Sequence, residues 1–171
     1  MKPTTAISQS PANSTTVLEM QGETSSVKTL LGAQVLVSNE ITLGVDSLVR
    51  QSIRHEPPQP IELEHAIELT EDAVMPLAAQ FAGNTGVVLQ GMGAALIIFG
   101  LDAAGLSLTS PTRDEVETLF NRLVAVSEVR PISHEVLPIH SRFFAAMLML
   151  REFMHHLNFA NVALEPSRDP V

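Results

Sequence analysis

Between Gly86 and Leu101 the chain runs for sixteen residues without a charge, diluted only by Gln90 and four glycines. A stretch this apolar has to be surrounded. It is shorter than the about 20 residues that a membrane-spanning helix needs, and Asp102 closes it. The expectation is a helix that is apolar on all sides and lies at the centre of a core. The other elements must then cover it.

Four segments offer themselves as covering helices. From Val27 to Arg54, Leu30, Leu31, Val37, Ile41, Val45, Leu48 and Val49 recur near a spacing of three to four, ending at Pro57-Pro58-Gln59-Pro60. Residues 61–82 carry two periods at once. Ile61, Leu63, His65, Ile67 and Leu69 alternate as on a strand, while Leu63, Ile67, Thr70, Val74 and Leu77 form a helical stripe. Glu and Ala content favours the helix, with Pro76 kinking or ending it. Gly83-Asn84 then reads as a C-cap and turn. Ser110-Pro111 followed by Asp114, Glu115 and Glu117 is a helix start, and Val116, Leu119, Phe120, Leu123 and Val124 give the cleanest amphipathic stripe in the chain. A last helix spans about residues 141–160, with Phe143, Met147, Leu150, Met154 and Leu157 as its stripe.

Residues 1–26 hold ten Ser or Thr, two Pro and only three charges. Such a composition buries too little to offset ordering and reads as a disordered polar tail, with no apolar stretch of the secretory type. The prediction is therefore an all-α fold: a four- to five-helix orthogonal or bundle-like domain over 27–162. The polar tail over 1–26 precedes it and a frayed tail over 163–171 follows.

The net charge of −9 argues against nucleic acid and anionic membrane surfaces as partners. The absence of cysteine removes disulfides, thiolate metal sites and a Cys nucleophile, and it fits a cytoplasmic protein. Trp and Tyr are absent, so stacking platforms are scarce.

Two Glu-x-x-His sequences, Glu62 to His65 and Glu152 to His155, have the form of bundle metal ligands, with Glu40 and Glu115 available to complete a dinuclear set. Helix geometry opposes them. Glu152 lies about 180° and His155 about 120° from the main stripe of the last helix, so both are expected at the surface. No cofactor or structural metal is expected, and Glu152→Ala with His155→Ala should leave stability nearly unchanged. His134, His140, His155 and His156 are read as ordinary helix-end histidines. Gly91-Met92-Gly93 lacks the rest of a dinucleotide fingerprint. Ser133-His134-Glu135 cannot converge as a triad.

These absences tip the balance against an enzyme. The leading expectation is a non-enzymatic interaction or regulatory protein acting through an apolar helical surface on a protein partner or a second copy. Phe144, Leu148 and Met149, beside the main stripe of the last helix, form that surface. Two alternatives stand beside it. The 1–26 tail is similar in bulk composition to export signals of bacterial type III secretion substrates, which implies a translocated protein. The Glu-x-x-His pair implies a metal-dependent bundle enzyme.

Overall fold

The structure, a computed structural model, describes residues 14–81, 86–128, 133 and 135–166. It is not all-α. Strands β1 (Ser14–Met20), β2 (Ser25–Leu31), β3 (Gln34–Ile41), β4 (Gly86–Gln90) and β5 (Asn161–Leu164) form one sheet in the order β3-β2-β1-β4-β5. β1, β2 and β3 are antiparallel neighbours, whereas β4 and β5 run parallel to β1. Five helices accompany them: α1 (Val45–Ser52), α2 (Pro60–Val74), α3 (Gly91–Ala103), α4 (Arg113–Glu128) and α5 (Ser141–His156).

The region expected to be a disordered tail supplies the middle strand. β1 alternates, with Thr16, Leu18 and Met20 buried and Val17 and Glu19 only partly so. Thr16 and Leu18 lie in register with Thr29 and Val27 on one side, and Leu18 pairs with Leu89 on the other. Residues 1–13 of that expected tail, the Gly83-Asn84 turn and His134 lie outside the described residues. The run from Val27 is not one helix but β2, β3 and only then the short α1. Gly32, in the left-handed region at φ 59°, turns the chain between β2 and β3, a conformation glycine takes without a steric penalty.

The charge-free run likewise divides. Gly86–Gln90 is a strand and Gly91–Ala103 a helix, joined without an intervening loop. Gly91 makes that abrupt junction possible. Its φ is 82°, and a Cβ there would sit 2.7 Å from the Met20 carbonyl oxygen. The run is not enclosed on all sides as expected: one face of α3 is buried, but Ala95 and Phe99 lie at the surface, Phe99 69% exposed.

The remaining helices fall close to expectation. Residues 61–69 are helical, within α2, which gives way at Pro76 to a 3₁₀ segment, Met75–Gln80. α4 starts two residues later than Ser110-Pro111 suggested, because Thr112 and Glu115 cap it reciprocally: the Glu115 carboxylate accepts from the Thr112 amide at 2.7 Å. α5 is the hub, with α1, α2, α3 and α4 packed around it. Phe143 through Leu150 are all buried in succession. Phe144, Leu148 and Met149 are each 0% exposed, so the expected interaction surface is core. The second apolar face of α5 is consumed by this ring of helices and is not left over for a partner. The expected frayed end at 163–171 begins inside β5, where Leu164 is buried. No helix among the described residues is long and apolar enough to cross a membrane.

Candidate functional site

Parallel strands in an open α/β sheet direct the carboxyl ends of β1, β4 and β5 to one edge, and ligands of such sheets bind at that edge. Three chain reversals meet there: the β1–β2 turn at residues 21–24, the N-terminus of α1, and the N-terminus of α3. The turn is closed by the Gln21 amide donating to the Thr24 carbonyl at 3.0 Å. It is bolted to α1, because the amides of Val45, Asp46 and Ser47 donate to the Gln21 and Gly22 carbonyls at 2.8–3.0 Å. The first-turn donors of α1 are thereby spent on structure. A Cβ on Gly44 would lie 2.5 Å from the Gln21 carbonyl oxygen, so this close approach requires glycine.

α3 differs. No side chain caps its N-terminus, and its first turn, Gly91-Met92-Gly93, carries no acidic group. Gln90, its N-cap residue, turns its side chain instead to Glu165 at 3.2 Å. Thirteen aligned peptides give this terminus a partial positive charge of about half a unit; a parallel bridge between Met20 and Gly91 ties its first residue to β1, and the amides beyond that bridge suit an anion. The Gln21 side-chain amide lies beside it, 3.1 Å from where a Gly91 Cβ would be, and donates to the Glu19 carboxylate at 2.9 Å. Glu19, Gln21, Thr24, Ser25, Ser26, Lys28 and Glu40 line a neighbouring hollow of about 160 Å³.

Two other carboxylates at this edge are already paired. Glu23 accepts both guanidinium nitrogens of Arg50, at 2.7 and 2.5 Å, and this hydrogen bonding holds its carboxyl below the ordinary range. Asp46 accepts from Arg142 Nε at 2.7 Å, tying the start of α5 to the start of α1.

The residues singled out from sequence lie elsewhere. Glu62 is buried at the start of α2 and accepts from the Arg54 and Gln59 amides and from His55 Nδ1, each at 2.9 Å, so it closes the α1–α2 connection. His65 is exposed beside Glu68. Glu152 is 1% exposed, contrary to the expectation of a surface position, because α2 and Arg151 cover that side of α5. His155 is exposed. The two Glu-x-x-His sequences do not converge. Glu40 is exposed on β3, and Glu115 caps α4. His140 caps α5, its Nδ1 accepting from the Phe143 amide at 3.3 Å. Gly91-Met92-Gly93 does sit at a strand-to-helix junction, the context in which small residues let a backbone approach an anion; the sequence reading missed it by taking strand and helix as one element.

No protein-family model matches the sequence, and no curated protein matches it. Among solved structures, the Aquifex aeolicus PPX-GPPA enzyme superposes with a TM-score of 0.67 at 13% identity, over 92% of this chain and 54% of that one. An exopolyphosphatase-like protein gives 0.68 at 9% identity, over 89% of this chain and 53% of that one. An exopolyphosphatase from Cytophaga hutchinsonii gives 0.54 at 14% identity, over 87% and 53%. The chain thus spans about half the length of these structures. These structural neighbours are phosphatase-type enzymes, which corrects the expectation of a non-enzymatic interaction protein; that reading rested on an all-α fold and on Phe144, Leu148 and Met149 as its contact face, whereas the fold is mixed and those residues are buried. What the likeness shows is the fold alone, a mixed α/β arrangement shared with part of each of these structures.

Proposed function

We propose that this chain is the phosphate-holding half of a Ppx/GppA-type phosphatase, acting on a phosphoanhydride such as polyphosphate. The observation that carries the reading is the N-terminus of α3, with no side-chain cap and no acidic residue in its own first turn, at the carboxyl edge of the sheet in a fold shared with such enzymes. A terminal phosphoryl group would take the amides of the Gly91-Met92-Gly93 turn. Gln21 would orient a water, and Glu19 would accept its proton. The water oxygen then bonds to phosphorus as the anhydride P–O bond breaks, and the shortened chain leaves with the bridging oxygen. The neighbours' additional length would supply the opposing wall of the cleft, a role that a second copy of this chain would take here.

The test measures phosphate binding by calorimetry and phosphate release from inorganic polyphosphate. Met92→Glu places a carboxylate on the α3 terminus and should weaken phosphate binding at least tenfold. Glu19→Gln should keep binding and lose release. Wild-type protein that neither binds phosphate nor releases it refutes the proposal, and binding without release removes the catalytic part.

A further inference from the structure

At the opposite end of α5 lies a second polar cluster that the carboxyl edge does not use. Fourteen residues separate Arg142, at the edge, from His156, or about 21 Å along the helix axis. Glu152 and His156 are spaced i,i+4 on α5, so they share a face, and α2 presents Glu71 to that face. His156 Nε2 lies 3.3 Å from Glu152 Oε2 and 3.4 Å from Glu71 Oε1, and the three donor atoms lie within 4.8 Å of one another. Glu152 is almost wholly buried, and His156 Nε2 is enclosed yet has no hydrogen-bond partner.

We infer that Glu71, Glu152 and His156 form a binding site for a divalent cation, with Zn²⁺ the ion that fits best. Four features support it. A tetrahedral Zn²⁺ with bonds of about 2.0–2.1 Å places its ligands about 3.3–3.4 Å apart. That matches both distances from His156, which are long for a charge-assisted hydrogen bond. The donor set, one imidazole and two carboxylates, leaves a fourth position for water. The charge also balances. Arg151 is held by Glu117, at 2.7 Å from Nε, and by Glu152 through its other oxygen, Oε1. Glu71, Glu117 and Glu152 against Arg151 leave two net negative charges among the carboxylates and the guanidinium, which one divalent ion would cancel. Finally, Arg151, anchored by Glu117, fixes the Glu152 carboxylate from behind.

The site joins α2 to α5 and stands apart from the α3 terminus, so its fate is independent of the phosphatase reading. The probe is Zn²⁺ itself, titrated by calorimetry into tag-free, chelator-stripped full chain, with Co²⁺ absorption as a report of geometry. One equivalent of Zn²⁺ should bind, with a tetrahedral Co²⁺ spectrum. Glu71→Gln and His156→Gln should each weaken binding at least tenfold, while exposed His155→Ala should leave it unchanged. Circular dichroism of each variant without metal establishes folding. Absence of Zn²⁺ binding by the wild type overturns the inference. So does binding that survives His156→Gln or disappears with His155→Ala.

Discussion

Gly100→Ala should destabilise the protein, although the same change in most helices stabilises it. Replacing an interior helical glycine with alanine is worth about 1 kcal/mol through propensity. Gly100, however, faces α5. A Cβ placed there would lie 2.6 Å from Phe143 Cδ2, closer still to Cε2, and 3.0 Å from Cζ. Carbon atoms pack best at about 3.5–4.0 Å, so the ring would have to retreat by about 1 Å. Phe143 is 0% exposed and its neighbours on α5 are equally enclosed, which leaves it little room. Overpacking of this kind costs about 1–3 kcal/mol, and the severity of the overlap favours the upper end. Subtracting the propensity gain leaves a net loss of about 2 kcal/mol. For a chain of this size that lowers the melting temperature by about 4–8 °C. The chain has no Trp or Tyr, so urea unfolding should be followed by far-UV circular dichroism. The Gly100→Ala/Phe143→Leu double variant supplies the control. In the Phe143→Leu background, Gly100→Ala should be neutral or stabilising. A Gly100→Ala variant at least as stable as the wild type would refute the packing argument.

Three further outcomes follow from the same geometry. Glu152→Ala should cost about 1.5–3 kcal/mol in urea unfolding by stripping a buried charged hydrogen bond, while His155→Ala stays within about ±0.5 kcal/mol; equal effects would contradict the burial of Glu152. Burial raises the pKa of Glu62, but the Gln59 amide, the His55 ring and the Arg54 amide together outweigh it and hold the carboxyl below the ordinary range. Its stabilisation is therefore whole above the unfolded value of about 4.3 and is lost as pH falls through the lower folded value; Glu62→Gln should flatten the acid limb of a stability–pH curve, and parallel curves would show otherwise. Deleting residues 1–20 should abolish cooperative unfolding, because β1 is the middle strand; a deletion variant with a sharp thermal transition would refute that assignment.

The helices were more legible in the sequence than the sheet, for physical reasons. α2, α4 and α5 each carry a helical stripe over fifteen or sixteen residues, which is long enough to register and in α2 outlasts the competing strand-like alternation at its start. The strands are five to eight residues long, or only four in β5, and hide in three ways. β1 alternates Thr16, Leu18 and Met20 inside a Ser/Thr-rich stretch whose average composition resembles a tail. β2 and β3 sit ahead of α1 without a proline to separate them, so their apolar residues merge into one apparent helical recurrence. β4 is continuous with α3, and a buried strand and a buried helix are equally apolar; only Gly91 marks the change. At the site the lesson is one of spacing. The angles of Glu152 and His155 to the main stripe of the last helix predict a surface position for both, but helices also pack on the far side of that stripe; there Glu152 and His156, at i,i+4, share one face, and α2 brings Glu71 to meet it. Nothing in the sequence announces that third partner, because it depends on how two helices pack.

The position of β1 has a consequence for synthesis on the ribosome. β1, β2 and β3 are consecutive and can pair as soon as residue 41 has emerged. The partner for the other edge of β1 comes much later: Val17 pairs with Val88, seventy-one residues downstream. At about 5–20 residues per second, that edge waits about 4–14 s. Throughout the interval a strand bearing Leu18 and Met20 offers unpaired amides and carbonyls to any other nascent chain, a template for intermolecular pairing. Expression yield should thus be limited by what shields the hairpin during translation, and a ribosome-associated chaperone should raise the soluble fraction more than any change to the finished fold.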